Sequence, residues 1–215
     1  MSVDVQDVRR AAQQIPRSGA ADLRACSAVS LVALVLLTFG ANAAQTPTLK
    51  AGVFSPPRQA PEFSLQGSDG AELNLSRYRG KVVVLAFGFT SCPDVCPTTL
   101  AVLAQARRKL GDAGNEVQIV YVTVDPERDN AERMKKYLGT FDPTFIGGTG
   151  AAGDLAAVRR EYGILAEKKV YGSNYTVAHS SYTYLIDREG KLRALMPYGH
   201  AADDYVHDLQ ALLQQ

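Results

Sequence analysis

Hydrophobic and polar positions divide the chain beyond residue 60 into alternating strand and helix segments. Continuous apolar runs at residues 81–87 and 117–124 predict two buried central strands. More polar segments with helical spacing predict helices at residues 97–110, 127–139, 154–162 and 201–213. A short strand at 143–146, a hairpin at 62–75 and a second hairpin with strands 181–186 and 192–196 complete the pattern. This order predicts an α/β fold, in which a central mixed sheet is flanked by helices and preceded by an N-terminal hairpin.

The first 44 residues have a different pattern, which is typical of an export segment. Arg9, Arg10, Arg17 and Arg24 precede a dense apolar run at residues 28–39, and Ala41-Asn42-Ala43 follows it as a candidate cleavage site. Residues 1–44 are therefore predicted to be a signal peptide or a membrane anchor, and both alternatives stay open. Either one predicts that the rest of the chain is periplasmic, because the arginines flank only the leading side. Residues 45–61, with four prolines, are predicted to be a linker, and residues 62–215 a single domain.

Composition narrows the classes of function. The 215 residues are 46% hydrophobic and 21% charged with a net charge of +1, which excludes a disordered chain. Beyond residue 44 the basic and acidic residues balance, so charge indicates no nucleic-acid partner. Three cysteines are too few for a disulfide scaffold.

Candidate chemistry follows the first buried strand. Cys92 and Cys96 lie where open α/β sheets place their sites, and the N-terminus of the following helix is expected to favour thiolate there. Each cysteine precedes a proline, so both are predicted to lie on a loop before the helix. Two such thiols serve as a redox-active dithiol–disulfide couple or hold a soft metal ion. The C-x-x-x-C spacing differs from the C-x-x-C of common redox exchangers, but it leaves both alternatives open.

A third ligand would complete a metal site. His179 precedes the strand at 181–186, and in this topology the loop before that strand lies beside the cysteine loop. Imidazole is suited to copper or zinc, and the alternative is a capping or buried histidine. His200 and His207 are expected to be surface side chains. Asp125, after the second strand, is expected to cap the helix that begins near residue 127 or to orient a ligand or loop.

Three motifs together resemble the Sco/SenC family of copper proteins, which are thioredoxin-like modules that assemble cytochrome c oxidase. They are FTSCPDVCPT at residues 89–98, VDPERD at 124–129, and HSS at 179–181 ahead of YLID at 184–187. The resemblance implies copper, as Cu(I) or Cu(II), held by Cys92, Cys96 and His179. It also implies a metallochaperone, rather than an enzyme, that delivers copper to the CuA site of cytochrome c oxidase subunit II. Other periplasmic copper chaperones or thiol reductants are further expected partners.

Two other functions remain open at this point. A periplasmic thiol–disulfide reductase would use Cys92 and Cys96 to reduce the CuA cysteines, and a redox or copper sensor would signal rather than deliver. His179 discriminates between the first alternative and copper delivery, because disulfide exchange does not require an imidazole ligand.

Overall fold

The computed structural model describes residues 48–215. The predicted signal peptide or anchor, residues 1–44, lies outside the described residues. Within residues 48–215, no helix is both long and apolar enough to span a membrane.

An eight-stranded mixed sheet forms the centre of the domain, as the sequence predicts. Its strands are β1 (Gly52–Gln59), β2 (Leu65–Gly67), β3 (Glu72–Leu73), β4 (Val82–Gly88), β5 (Val117–Thr123), β6 (Ile146–Thr149), β9 (Tyr182–Ile186) and β10 (Lys191–Pro197). The strand order is β1-β10-β9-β4-β5-β6-β2-β3, with β4, β5 and β6 parallel and the other pairs antiparallel. Every residue of β4 is buried, because both faces of this central strand are covered.

Four helices flank the sheet. They are α1 (Val95–Lys109), α2 (Ala131–Gly139), α3 (Ala152–Glu161) and α4 (Ala202–Leu213). Helix α1 packs against α4, and α2 packs against β6. Helix α2 begins four residues later than predicted, because the Asn130 side chain accepts a hydrogen bond from the Arg133 amide and caps it there. Asp125 is therefore not the cap of this helix.

The N-terminal hairpin is confirmed, whereas the segment before it differs from the prediction. Strands β2 and β3 pair across a turn in which Gly70 has a φ of 87°, a left-handed conformation that favours glycine. Strand β1 falls in the range predicted as a linker, yet it pairs with β10 at the edge of the sheet. Its prolines are compatible with that position, since an edge strand leaves part of its backbone unpaired.

A separate two-stranded sheet was not predicted. Strands β7 (Ala166–Tyr171) and β8 (Asn174–His179) form an antiparallel hairpin, with Ala166 opposite His179. The hairpin is mostly exposed, so it lacks the apolar alternation that indicates a strand in sequence.

Candidate metal and thiol site

The two cysteines follow β4, as predicted, but in different backbone settings. Cys92 lies on the loop and is partly exposed, whereas Cys96 lies in the first turn of α1 and is buried. The prediction that both are on a loop is therefore wrong for Cys96. Helix α1 tolerates Pro97 because the backbone N–H groups of a first helical turn have no acceptor within the helix, so the N–H that proline lacks is not missed.

The two cysteines are not bonded to each other and differ in acidity. The pKa of Cys92 is lowered to about 5, first by a hydrogen bond from Cys96 and then, against the effect of burial, by backbone amides of the loop and helix. The same hydrogen bond, together with burial, raises the pKa of Cys96. The pair therefore holds one proton at neutral pH, with the negative charge on the more accessible Cys92.

His179, the last residue of β8, brings its imidazole to the buried cysteine. Its Nε2 lies 3.7 Å from Cys96 Sγ, and its Nδ1 lies 2.9 Å from the Ser180 carbonyl oxygen. A carbonyl oxygen only accepts, so Nδ1 carries the proton and donates it. This leaves the Nε2 lone pair directed to the sulfur side, the arrangement seen when a backbone carbonyl orients a metal-binding histidine.

The three predicted ligands are neighbours without forming a closed metal site. Within residues 48–215, no group of three or more Cys, His, Asp or Glu side chains is arranged to hold a metal ion as it stands. The shared ligand role of Cys92, Cys96 and His179 stays a prediction, and a closed site would need these side chains to rearrange. A small crevice of about 20 Å³, room for a single water molecule, lies beside Cys96 and His179, and Tyr182 and Tyr198 are among the residues that line it.

The cysteine loop is held by a buried carboxylate that sequence reasoning did not single out. Asp129 is fully buried and accepts hydrogen bonds from the Thr90 amide (2.9 Å), the Thr90 hydroxyl (2.5 Å) and the Thr123 hydroxyl (2.7 Å). Arg133 donates to the Thr90 hydroxyl at 2.7 Å and to the Ser91 hydroxyl at 3.0 Å. These bonds fix the two residues before Cys92. The last acidic residue of VDPERD, Asp129, was the available signal, but its partner Thr90, 39 residues away, was not visible in sequence.

Asp125 is also buried and contacts the His179-bearing hairpin. Its carboxylate accepts from Arg128 Nε at 2.5 Å and from the Tyr175 hydroxyl at 2.8 Å. The prediction that Asp125 orients a loop remains a proposal, which these contacts support.

Gly88 gives Cys96 the space that it occupies. A Cβ at Gly88 would lie 2.0 Å from the Tyr121 hydroxyl oxygen and 2.8 Å from Cys96 Sγ, so only glycine fits there. The Tyr121 hydroxyl is buried and finds no well-oriented hydrogen-bond partner among the described residues. Burial and the nearby Cys96 sulfur raise the pKa of Tyr121, which therefore stays neutral.

His200 and His207 lie away from the sulfurs, on or beside α4. His200 Nδ1 lies 3.1 Å from an Asp204 oxygen, and His207 Nδ1 lies 2.9 Å from an Asp208 oxygen. Both pairs are carboxylate contacts of the helix, which makes these histidines suitable controls for His179.

The fold and the site together define a class of protein: a thioredoxin-like domain that carries a C-x-x-x-C thiol pair beside an imidazole. Residues 54–214 match the SCO1/SenC family model, so the chain belongs to that family. A SCO2-like protein of Rickettsia conorii is 37% identical over 134 residues, which are 60% of this chain and 65% of that protein. The match thus spans just under two thirds of that relative's length.

Two further similarities extend the comparison. The mitochondrial SCO2 homologue of Bos taurus is 40% identical over 133 residues, or 60% of this chain and 50% of that protein. The structure of Bradyrhizobium japonicum ScoI with copper bound superposes with a TM-score of 0.67 at 32% identity, covering 72% of this chain and 99% of that one. The fold of this domain is therefore that of a protein that binds copper.

Proposed function

We propose that this protein binds copper through Cys92, Cys96 and His179 and delivers it to the CuA site of cytochrome c oxidase subunit II. The observation that carries the proposal is the 3.7 Å separation of Cys96 Sγ and His179 Nε2, with His179 Nδ1 engaged by the Ser180 carbonyl oxygen. Two donors that bind one metal ion at about 2.0 and 2.3 Å lie no more than about 4.3 Å apart. The separation of this pair falls within that limit, which supports a shared ligand role.

The donor set suits copper as cargo. Thiolates prefer Cu(I), and the added imidazole also accommodates Cu(II). Three ligands leave the metal accessible to an incoming thiolate, and the partly exposed Cys92 marks the side from which that thiolate would approach. Copper then passes to an acceptor by stepwise ligand exchange, in which each new metal–sulfur bond replaces one from this protein.

The proposed location is the periplasm. Its support is the arginine-flanked apolar run in residues 1–44, which is either removed after export or kept as an anchor in the cytoplasmic membrane. In this proposal, the copper site of subunit II faces the periplasm. Other periplasmic copper chaperones supply copper to this protein, or thiol reductants keep Cys92 and Cys96 reduced.

A second function is favoured by a specific observation, the different exposure of the two thiols: Cys92 is partly exposed, whereas Cys96 is buried. Cys92, with its pKa lowered to about 5, is a thiolate nucleophile at neutral pH, while the protonated Cys96 is the resolving thiol. As a reductase, Cys92 attacks a disulfide in the acceptor and one acceptor sulfur leaves as thiolate. Cys96 then loses its proton and attacks Cys92, which frees the second acceptor thiolate and leaves a Cys92–Cys96 disulfide. Two electrons pass to the acceptor.

His179→Ala separates the two functions. For copper delivery, we expect this variant to lose most Cu(II) binding and its thiolate-to-copper absorption, with a smaller loss of Cu(I) binding. A strain that carries it should lack CuA and oxidase activity at limiting copper, and excess copper should restore part of that activity. His200→Ala and His207→Ala are the matched controls and should behave as wild type. Full oxidase assembly with His179→Ala, but not with Cys92→Ser, would replace delivery with the reductase function.

A further inference from the structure

The hairpin that carries His179 is not part of the central sheet. Strands β7 and β8 pair only with each other among the described residues. Apart from the chain connections at its two ends, the hairpin that carries the imidazole is therefore held to the rest of the domain by contacts of side chains.

One face of β8 makes most of those contacts, and Lys168 of β7 adds an exposed ion pair with Glu127 at 2.6 Å. Successive side chains of a strand point to opposite faces, so Tyr175, Val177 and His179 share a face. Val177 is buried, whereas the neighbouring Ala178 on the opposite face is exposed. The face with Tyr175 and His179 is thus the one that lies against the domain, with these two residues roughly 13 Å apart along the strand.

At the Tyr175 end, three side chains form a closed set of hydrogen bonds, called here the hairpin clamp: Asp125, Arg128 and Tyr175. The Tyr175 hydroxyl donates to Asp125 Oδ1 at 2.8 Å, and Arg128 Nε donates to Asp125 Oδ2 at 2.5 Å. Arg128 Nη1 donates to the Tyr175 carbonyl oxygen at 3.1 Å. Both the side chain and the backbone of Tyr175 are therefore bound to one ion pair, in the segment after β5, whose carboxylate is buried.

The hairpin clamp is linked to the imidazole of His179 through the Phe89 ring. The Arg128 guanidinium lies over the Tyr175 ring at 3.8 Å and over the Phe89 ring at 5.7 Å. The Phe89 ring in turn meets His179 edge to face, with their centroids 5.9 Å apart. Phe89 begins the cysteine loop, so the same arginine contacts the supports of both the thiols and the imidazole.

We propose that Asp125, Arg128 and Tyr175 are positioning residues that hold the hairpin against the domain and so keep His179 Nε2 at Cys96. This inference rests on the proposed ligand role of His179. A protein whose binding-competent form is only partly populated binds with an affinity reduced by that fraction. Loosening the clamp lowers the fraction with His179 in place and weakens the copper state that requires the imidazole.

Tyr175→Phe is the sharpest variant, because it removes only the hydroxyl bonded to Asp125 and keeps the ring under Arg128. In metal-free protein we expect amide hydrogen exchange at residues 174–179 to become several-fold faster. Cu(II) binding should weaken by about tenfold with a changed thiolate-to-copper absorption, while Cu(I) binding and the rate of disulfide exchange stay near wild type. Arg128→Lys keeps the positive charge but loses the planar guanidinium that bonds Asp125 and stacks on the Tyr175 ring, so it should act in the same direction.

Tyr171→Phe is the matched control, since Tyr171 is an exposed tyrosine at the tip of the same hairpin. It should leave hydrogen exchange and copper binding unchanged. Unchanged exchange at residues 174–179 in Tyr175→Phe, or unchanged Cu(II) binding in Tyr175→Phe while His179→Ala loses it, would overturn the role of the clamp. Cu(II) binding that survives His179→Ala would instead overturn the proposed copper function, and the hydrogen-exchange result would still decide whether the clamp holds the hairpin.

Discussion

Gly88→Ala tests the packing that creates the buried thiol position. Gly88 is the last residue of β4, and the added Cβ would lie 2.0 Å from the Tyr121 hydroxyl oxygen, 2.7 Å from Tyr121 Cζ and 2.8 Å from Cys96 Sγ. Tyr121 has little freedom to withdraw, since β5 pairs with β4 on one side and β6 on the other and the side chain is 1% exposed.

The magnitude follows from the required displacement. Ordinary contact with a Cβ begins at 3.4 Å, so the hydroxyl would have to move by about 1.4 Å inside a packed core. Overpacking of this kind destabilises by about 1–3 kcal/mol, and we expect the upper end because two side chains on different elements must shift together. For a domain of this size, about 3 kcal/mol corresponds to a decrease in Tm of roughly 6–12 °C.

Urea and thermal unfolding of the reduced, metal-free protein measure this effect. Tyr121→Phe alone should change stability little, because the hydroxyl that it removes has no well-oriented partner among the described residues. In the Gly88→Ala background it removes the 2.0 Å contact and should restore about 1 kcal/mol or more. Gly139→Ala is the matched control, since a Cβ there meets nothing within 4 Å. A Gly88→Ala variant within about 0.5 kcal/mol of wild type would refute this account.

Two further predictions concern the cysteine loop. Asp129→Asn should lower the free energy of unfolding by about 2–4 kcal/mol in urea titrations, because the buried carboxylate accepts three hydrogen bonds. Asp203→Asn, at an exposed ion pair, should cost less than about 1 kcal/mol, and equal losses would contradict the buried role. In metal-free reduced protein, Cys92 should react with iodoacetamide at a rate that falls only as the pH drops through about 5, because its lowered pKa keeps the thiolate down to that pH. Cys96 should stay unreactive from pH 5 to 8, since its pKa is raised and its side chain is buried. A midpoint near pH 9 for Cys92 would show that Cys96 does not stabilise its thiolate.

The central sheet was predictable because its strands are buried on both faces. The run at β4 is apolar at every position, and such a segment has few alternatives to a core strand. Strand β1 was missed because it is exposed and because its partner, β10, lies more than 130 residues away. The hairpin of β7 and β8 was missed for a related reason: β7 carries the charged residues Glu167, Lys168 and Lys169 in succession, and β8 buries only Val177.

Residue types with distinctive chemistry were found more easily than the groups that support them. Cysteine and histidine carry their chemistry in the side chain, so Cys92, Cys96 and His179 were visible as candidates from type and position alone. Asp125 and Asp129 are common residue types whose roles depend on partners 50 and 39 residues away. A capping role for Asp125 was the natural local expectation, and the structure assigns that role to Asn130 because Asp125 is engaged by Arg128 and Tyr175 instead.

The meeting of Cys96 and His179 follows from the direction of one strand pair. These residues are 83 positions apart in sequence. Strand β9 runs antiparallel to β4, with Thr183 opposite Ala86, so the chain entering β9 lies beside the chain leaving β4. His179 therefore arrives at the same sheet edge as the cysteine loop, whatever the fine structure of the hairpin. A shift of one residue in that register would exchange the two faces of β9, and both faces are packed, since Thr183, Tyr184, Leu185 and Ile186 are all buried. Burial of the core thus fixes the edge at which the imidazole meets the thiols, while the polar contacts of the hairpin set its distance from them.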